Sequence, residues 1–324
     1  MPKRDPIFIG VDLGGTNIEA AAVRNGEVLV SKKRKTRPEK GVDSVIGRIE
    51  ETVRRVFKKM DARASDFEAL CIGAPGAVDP ATGIVRAAPN LGWQDVPLGE
   101  ALRQRLGLPV FVDNDVNVGV LGEYVYGAGQ GALHMVGIWV GTGIGGGIIV
   151  NGQLVNGWRG AAGEIGHMVV HPRGRQCGCG REGCVEAYAS KTAMMAMIEE
   201  EIESGSKSAV PDIMAEMGKR RLTSSVVEAA LEAEDGPMME AVATAQFYLG
   251  LLTANLVNVL DPQVIVFGGG LVERLGDAFL APVARTAAQH YLQQKNADRI
   301  RIVPSTLGDD AGPVGAAIIA SRRL

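Results

Sequence analysis

The chain has 324 residues, 46% of them hydrophobic and 22% charged, which is enough for two domains with a sizeable core. Its 34 Lys and Arg residues and 37 Asp and Glu residues give a net charge of -3, so no nucleic-acid partner is expected. The 43 glycines cluster in turns without a period, which excludes collagen-like and low-complexity chains. The N-terminal residues MPKRDPIF carry no apolar segment typical of a signal peptide, and we expect a cytoplasmic protein.

The segment Tyr124–Trp158 is free of Lys, Arg, Asp and Glu, as a membrane span would be. Its many glycines and the Asn151-Gly152 turn are incompatible with a membrane helix. We therefore expect no membrane partner.

The N-terminal segment predicts antiparallel strands around a glycine turn. Ile7–Val11 and Ile18–Val23 are apolar runs typical of buried strands. Asn25-Gly26 is a hairpin signal that leads to a third strand, Glu27–Ser31.

The first of these turns has the chemistry of an anion site. Gly14 and Gly15 let backbone N–H groups approach an anion closely, and Thr16 adds a hydroxyl donor. Asp12, at the strand end, is placed to orient a hydrated Mg²⁺. An ordinary tight hairpin explains the same residues, so this turn alone leaves both interpretations open.

A polar cluster, Asp113–Asn117, follows a predicted strand and opens a predicted helix. Helix capping by Asn114 or Asp115 explains one of these residues. A whole cluster at the carboxyl end of a buried strand is typical of ligand sites in α/β sheets. The loop Pro89–Trp93 is either a surface turn or the rim of a small-molecule cleft, with Asn90 as a hydrogen-bonding side chain.

Gly141–Gly146 matches GxGxxG, but a strand follows it instead of a helix, which excludes a dinucleotide-binding fold. The order of strand, Gly/Thr turn, strand and Asn151-Gly152 hairpin repeats the N-terminal arrangement. This repetition indicates a duplicated domain with a phosphate held between two glycine turns. A third turn, Gly268–Gly270, precedes a helix and suits a phosphate or a flat base.

Hydrophobic runs and spacing predict the remaining helices and strands. Lys32–Lys40 is expected to be a basic loop and Ala74–Asp79 a turn-rich loop. The predicted helices are Val42–Met60, Pro97–Leu106, a helix ending near Tyr126, Met194–Ser204, Ser225–Ala233, Met238–Leu260, one starting at Leu271 or Val272, and Gly308–Arg322. The predicted strands are Phe67–Gly73, Pro109–Val112, Met135–Val140, Gly147–Val150, Val264–Phe267 and Ile300–Pro304.

Cys177, Cys179 and Cys184 lie in one glycine-rich loop. Three thiolates and one imidazole form a tetrahedral set for zinc, and both His167 and His171 are within reach as the fourth ligand. An odd number of clustered cysteines argues against a disulfide. A site with four protein ligands is closed, so the metal would be structural and would shape the loop that carries Glu164, His167 and Glu186.

Together these motifs resemble the ROK family, which comprises sugar kinases and sugar-responsive repressors of the actin-like ATPase superfamily. The likeness covers nearly the whole chain and within the family is greatest to bacterial glucokinases, through Pro89-Asn90-Leu91-x-Trp93 and Glu164-Ile165-Gly166-His167. The other matching residues are Asp12-x-Gly14-Gly15-Thr16, Ala74-Pro75-Gly76, Asn114-Asp115, Gly141-Thr142-Gly143 and Cys177-x-Cys179-Gly180-x-x-Gly183-Cys184-x-Glu186.

The resemblance implies a duplicated two-domain α/β fold of the actin-like ATPase, or ribonuclease H-like, type with a cleft between the domains. The smaller domain is expected at residues 1–120 plus about 305–324, and the larger one, with the zinc loop, at about 121–304. It also implies a role for each matching residue. Asp115 would be the general base; Gly76, Asn90, Asn114, Asp115, Glu164, His167 and Glu186 would bind the sugar; Asp12, Gly14, Gly15, Thr16, Thr142, Gly143, Gly268 and Gly269 would hold Mg²⁺ and ATP; His167, Cys177, Cys179 and Cys184 would hold zinc.

The activity implied is phosphorylation of a hexose by ATP at its C6 hydroxyl, with glucose as the expected sugar. Alternatives are another hexose (an N-acetylated hexosamine, mannose or fructose) or a sugar-sensing regulator without catalysis. A repressor would need a DNA-binding segment, which the 11 residues before Asp12 do not supply. Members of the family commonly form homodimers or higher homo-oligomers, and by analogy we expect the same of this chain.

Overall fold

The computed structural model describes residues 5–324. Backbone contacts divide this part of the chain into two compact units. Unit 1 comprises the described residues up to Gly131, Leu154–Ala162 and Asp309–Leu324, and unit 2 comprises Ala132–Gln153 and Gly163–Gly308. We expected boundaries at about residues 120 and 305, and no local sequence pattern groups Leu154–Ala162 with unit 1.

The secondary structure alternates strands and helices. The strands are β1 (Phe8–Leu13), β2 (Asn17–Arg24), β3 (Glu27–Lys35), β4 (Leu70–Ala74), β5 (Ala77–Asp79), β6 (Ile84–Ala88), β7 (Trp93–Val96), β8 (Val110–Asn114), β9 (Met135–Val140), β10 (Ile144–Val150), β11 (Gln153–Leu154), β12 (Val264–Gly268) and β13 (Arg301–Pro304). The helices are α1 (Val42–Lys59), α2 (Leu98–Leu106), α3 (Asp115–Tyr126), α4 (Glu186–Ala189), α5 (Lys191–Glu203), α6 (Val210–Glu216), α7 (Ser224–Glu232), α8 (Gly236–Leu260), α9 (Gly270–Leu275), α10 (Asp277–Gln289) and α11 (Ala311–Arg323).

Unit 1 is built on a five-stranded sheet in the order β3-β2-β1-β4-β8. β2 pairs antiparallel with both β1 and β3, whereas β1, β4 and β8 run parallel. The side chains of β4 are buried along its whole length, as is usual when both faces of a parallel sheet are covered. The parallel arrangement places the carboxyl ends of β1 and β8, with Asp12 and Asn114, at one edge of the sheet.

Two loop predictions in unit 1 were wrong. β3 continues to Lys35, which pairs with Asn17, so the first half of Lys32–Lys40 is a strand. β3 is an edge strand, where Lys and Arg side chains are common. Because its second half is charged, hydrophobic alternation does not reveal it as a strand. Ala74–Asp79 contains β5, which forms a three-stranded antiparallel sheet with β6 and β7. These short strands are separated by Gly, Pro and Asp residues, which made the segment resemble a series of turns.

Helix α11 packs on β1 and α3 within unit 1, although it follows the last strand of unit 2 in the chain. The contact is between backbones. A Cβ added to Gly10 would lie 1.8 Å from the Pro313 carbonyl oxygen, and one added to Gly315 would lie 1.6 Å from the Val118 carbonyl oxygen. Only glycine at these positions allows so close an approach.

Unit 2 repeats the sheet of unit 1. Its strand order is β11-β10-β9-β12-β13, with β9 and β10 antiparallel and with β9, β12 and β13 parallel. The antiparallel hairpin thus lies on one side of the first strand and the parallel strands on the other, as in unit 1. The predicted duplication is confirmed by this match of strand order.

Helix α8 belongs to the core of unit 2, where it packs against α4, α5 and α10. Within residues 5–324 it is the one helix long and apolar enough to cross a membrane by length and composition, and 50% of its most apolar window is buried inside the protein. Core helices commonly have this composition, so its packing explains its hydrophobicity. The uncharged Tyr124–Trp158 segment forms β9 and β10 and no membrane-length helix.

Candidate functional site

The first glycine turn in unit 1 is held by a buried threonine. The Gly14 N–H donates to the Asn17 carbonyl over 2.9 Å, which closes the turn between β1 and β2. Thr36 is fully buried, and its hydroxyl donates to the Gly14 carbonyl over 2.6 Å. Its backbone N–H also donates to the Thr16 carbonyl over 2.9 Å. Thr36 therefore fixes the backbone whose N–H groups were predicted to bind an anion.

Asp12 lies at the carboxyl end of β1 among other acids. Burial raises its pKa to about 7, assisted by the negative charges of Asp115, Glu19 and Asp309, while Lys33 acts in the opposite direction. A Cβ added to Gly312 of α11 would lie 3.1 Å from the Asp12 Cβ, so α11 crowds this carboxylate. The carboxyl group thus lies where a cation would stabilise its charged form.

Asn114 performs the capping role that the sequence left open. Its Oδ1 accepts from the N–H groups of Val116 at 3.0 Å and Asn117 at 3.1 Å. Its Nδ2 donates to the Gly76 carbonyl oxygen over 3.0 Å. Because the cap fixes the first turn of α3, it also fixes Asp115, the first residue of that helix and a partly buried one.

The other two predicted residues of unit 1 lie close to these turns. Gly76 has φ of 84°, and a Cβ there would meet the Ala87 carbonyl oxygen at 2.1 Å, so glycine is required for the approach of β6. Asn90 is exposed, in a 3-10 turn at Pro89–Leu91, and its Cβ lies 3.6 Å from where a Cβ of Gly15 would be. Unit 1 therefore brings Gly15 and Asn90 together, and it ties Gly76 to Asn114.

In unit 2 the second and third glycine turns are neighbours, because they end the adjacent parallel strands β9 and β12. Gly269 has φ of 97°, and a Cβ there would lie 2.4 Å from the Val140 carbonyl oxygen, next to Gly141. Gly268 is needed for a different contact, since its Cβ would meet the Trp139 ring at 2.6 Å. Thr142 is exposed at the tip of its turn.

Glu186 is tied to the start of β10. Its Oε2 accepts from the Ile144 N–H over 2.8 Å, and a Cβ added to Gly143 would lie 2.4 Å from that oxygen. Its other oxygen, Oε1, lies 3.8 Å from the Cys177 sulfur. One carboxylate oxygen therefore orders the second glycine turn, and the other faces the cysteine loop.

Glu164 and His167 lie on a short turn packed against β10. A Cβ on Gly166 would meet the Ile144 carbonyl oxygen at 2.1 Å, and one on Gly146 would meet the Ile165 side chain at 2.3 Å. The glycines of β10 are thus partly explained by this packing and not by phosphate binding. Glu164 is exposed and precedes the 3-10 turn Ile165–His167.

The four predicted zinc ligands meet in unit 2. One ligand atom from each of His167, Cys177, Cys179 and Cys184 lies within 4.8 Å of all the others. The Cys179 and Cys184 sulfurs are 3.7 Å apart, as are the Cys177 sulfur and the His167 Nδ1. Two thiolates at Zn–S distances of about 2.3 Å in a tetrahedron would be roughly 3.8 Å apart. The donor set and its spacing therefore fit zinc.

His171 lies outside this group. Its Nδ1 is 2.9 Å from the Tyr248 hydroxyl, and its ring stacks on Tyr188 at a centroid distance of 5.8 Å. Of the two histidines that the cysteine loop could reach, His167 is the one placed beside the sulfurs.

The sequence did not identify the residues that hold the turns in place. Thr36 is one, and it was hidden in the basic segment that was predicted to be a loop. Lys191 and Thr192 are others: the Lys191 N–H donates to the Gly141 carbonyl over 3.0 Å, and the Thr192 hydroxyl donates to the Thr142 carbonyl over 2.8 Å. Ser190 could have indicated these two residues, since a serine is a common N-cap and Ser190 caps α5. The predicted helix instead began at Met194, three residues late.

Comparison with known proteins relates the whole chain to one family. The ROK family profile matches residues 8–323. The glucokinase of Halalkalibacterium halodurans is 36% identical over 321 residues, which cover 98% of this chain and 96% of that one. A xylose repressor of Caldicellulosiruptor bescii is 31% identical over 262 residues, 81% of this chain and 65% of the repressor. The crystal structure of a ROK family glucokinase from Streptomyces griseus in complex with glucose and AMPPNP has 32% identity and a TM-score of 0.83, with 98% and 99% of the two chains covered.

Proposed function

This chain belongs to the ROK family, and from that membership we propose that it transfers a phosphoryl group from ATP to the C6 hydroxyl of glucose. The observation that carries the proposal is the placement of two carboxylates, Asp12 and Asp115, at the carboxyl ends of β1 and β8. This edge of an α/β sheet is where ligands bind, and phosphoryl transfer requires both a base and a cation-binding acid.

Asp115 is the proposed general base. A carboxylate within hydrogen-bond reach of the C6 hydroxyl accepts its proton as the oxygen attacks the γ-phosphorus, which makes the alcohol a better nucleophile at neutral pH. The Asn114 cap supports this role because it holds the first turn of α3 in one position. Asn114, Asn90 and Gly76 are the proposed sugar-binding residues of unit 1.

Glu164, His167 and Glu186 are the proposed sugar-binding residues of unit 2. The His167 Nδ1 lies beside the Cys177 sulfur, so metal binding at Nδ1 would leave the proton on Nε2. That N–H is then a donor for a sugar hydroxyl. Glu164 and Glu186 offer acceptor oxygens, and paired donors and acceptors discriminate between sugars that differ at a single hydroxyl.

The three glycine turns are the proposed ATP site. Gly15 and Thr16 in unit 1, and Thr142, Gly143, Gly268 and Gly269 in unit 2, would donate hydrogen bonds to the nucleotide. Gly14, whose N–H donates to the Asn17 carbonyl, would shape the turn and let the nucleotide approach its backbone closely. Asp12 would hold Mg²⁺, which when bound neutralises phosphate oxygens. Phosphoryl transfer needs little covalent chemistry from the protein, so positioning and neutralisation of the phosphate charge supply most of the catalysis.

His167, Cys177, Cys179 and Cys184 are the proposed ligands of a structural Zn²⁺. Four protein ligands leave no open position, so the ion would take no part in the reaction. It would instead brace the loop between His167 and Glu186, and with it two of the proposed sugar-binding residues.

Replacing Asp115 tests the proposed function. Asp115→Ala should lower kcat for glucose by about 10²–10⁴-fold, since base catalysis contributes that much, and should leave the dissociation constant for glucose nearly unchanged. A coupled assay of ADP release with Mg²⁺–ATP measures the first value, and calorimetry measures the second. Asp43→Ala, an exposed acid of α1, is the control and should retain wild-type turnover. Near-normal turnover in Asp115→Ala would exclude Asp115 as the base.

The same assay separates the alternatives. Wild-type turnover highest with glucose supports the proposal, whereas faster turnover with mannose, fructose or an N-acetylated hexosamine would change the substrate. Sugar binding without ADP release would instead favour a sugar-sensing regulator, a role held by the xylose repressor among the relatives.

A further inference from the structure

Lys191 is the first residue of α5 and is attached to the second glycine turn. Its backbone N–H donates to the Gly141 carbonyl over 3.0 Å, and the next residue, Thr192, donates its hydroxyl to the Thr142 carbonyl over 2.8 Å. Two hydrogen bonds therefore link the start of α5 to the Gly141–Gly143 turn. These bonds position the Lys191 backbone, and with it the start of its side chain, relative to that turn.

The side chain of Lys191 extends towards the third glycine turn. Its Nζ lies 3.5 Å from the Ser224 hydroxyl oxygen. That oxygen is 3.1 Å from where a Cβ of Gly270 would be, and Gly270 opens α9 at the end of the Gly268–Gly270 turn. Through Ser224, the Lys191 ammonium group is therefore close to the Gly268–Gly270 turn. The Lys191 backbone is hydrogen-bonded to the Gly141–Gly143 turn.

The surroundings of this ammonium favour an anion. The N-terminal end of a helix carries partial positive charge, so a lysine at the first position of α5 is electrostatically unfavourable. Burial lowers the pKa of Lys191, and the carboxylate of Glu273 in α9 only partly compensates. The hydrogen bond to Ser224 is at the long limit and is made to a neutral group. A bound anion would relieve each of these costs.

We propose that Lys191 binds a phosphate group of the nucleotide, an inference that rests on the proposed use of ATP. The Gly141–Gly143 and Gly268–Gly270 turns supply neutral N–H donors, and Lys191 supplies the positive charge that these turns lack. The lysine acts in binding and is not assigned a proton transfer. Its contribution should grow with the charge of the nucleotide and vanish for an uncharged nucleoside.

Nucleotide binding to a charge-neutral variant tests this assignment without any turnover. Lys191→Met should weaken ADP binding by about 10–100-fold, the range of one charge-assisted hydrogen bond, and change adenosine binding by less than about twofold. Lys191→Arg should recover most of the ADP affinity. Lys207→Met, an exposed lysine of unit 2, should match the wild type. Unchanged ADP affinity in Lys191→Met, or equal weakening of ADP and adenosine, would overturn the proposal.

The wild-type protein supplies a second measurement that does not depend on how a variant folds. Acetic anhydride labelling followed by peptide mass spectrometry should show the Lys191 amine protected by ADP and not by adenosine, with Lys207 labelled equally throughout. Labelling of Lys191 that ADP leaves unchanged would overturn the proposal. These binding results are independent of the glucose assay, so a protein that binds ADP through Lys191 but fails to phosphorylate glucose would refute only the proposed function.

Discussion

Asp12, the proposed Mg²⁺ ligand, lies in a position that is unfavourable for its own negative charge. Burial, with Asp115, Glu19 and Asp309 nearby, raises its pKa from 3.8 to about 7. A carboxyl group whose pKa is higher in the folded than in the unfolded protein holds its proton more tightly when folded. Its contribution to stability therefore falls as the pH rises from about 4 through 7, in protein without Mg²⁺.

Asp12→Asn should remove this pH-dependent cost. We expect the variant to have a higher Tm than the wild type at pH 8.5, because the wild type then buries a charged carboxylate. The difference should be smaller at pH 5.5, where the wild-type group is protonated. Thermal unfolding without added divalent cations measures both values. Asp43→Asn, at an exposed position, is the control, and an equal Tm difference at the two pH values would contradict the prediction.

The residues proposed to contact ligands carry a local sequence signal, whereas the residues that hold them in place do not. Asn114 and Asp115 were proposed because a polar cluster after a buried strand is unusual. Thr36 and Lys191 were missed because their roles depend on hydrogen bonds to Gly14 and Gly141, which are 22 and 50 residues away in the chain. Such pairings arise from tertiary structure and leave no local pattern.

At the scale of elements, the cysteine loop contains little regular backbone pairing of its own. Two isolated antiparallel bridges, Val169 with Cys184 and Gln176 with Glu182, are its regular backbone pairs in the described chain. A metal ion bound by the four side chains of His167, Cys177, Cys179 and Cys184 would hold the loop in one conformation, which its two backbone bridges alone would not.

Cys179→Ser should reduce zinc from about one ion per chain to well under half, and should raise the KM for glucose because Glu186 and His167 lose their support. Metal analysis of freshly purified protein and a glucose titration measure the two effects. Cys71→Ala is the matched control, since Cys71 is a buried cysteine of β4 and should keep both the zinc content and the KM. Wild-type zinc content and KM in Cys179→Ser would contradict the assignment.

Helix α11 is an element whose packing depends on single glycines. Gly315→Ala would place a methyl group 1.6 Å from the Val118 carbonyl oxygen, a backbone atom that cannot rotate away. We expect a loss of roughly 2–3 kcal/mol or more in the free energy of unfolding, as for severe overpacking. Urea denaturation measures it, with the exposed Ser321→Ala of the same helix as control. Equal stability of the two variants would show that α11 shifts freely.

Most long elements were predictable, whereas three short strands, β5, β6 and β7, were not. α1 and α8 carry helical spacing over many residues, and their observed bounds lie within about two residues of the predicted ones. β5, β6 and β7 have three to five residues each, too few for a pattern to emerge from the turns between them. β3 was cut short because charged residues fill its second half.

At the scale of the whole molecule, the duplication was readable because both halves begin alike. Each has a strand, a glycine turn, a second strand and an Asn-Gly hairpin, and each folds into the same strand order. The division into units was only partly foreseen. The resemblance implied that about residues 305–324 group with the N-terminal part of the chain, whereas no local pattern marked Leu154–Ala162 as part of unit 1.

The late return of α11 has a consequence for biosynthesis. A ribosome makes β1 and α3 early, yet the helix that covers them comes from codons read after all of unit 2. Until α11 is made, the surfaces of β1 and α3 that it covers lack their packing partner. A nascent chain stalled before residue 311 would expose these surfaces to chaperones and proteases.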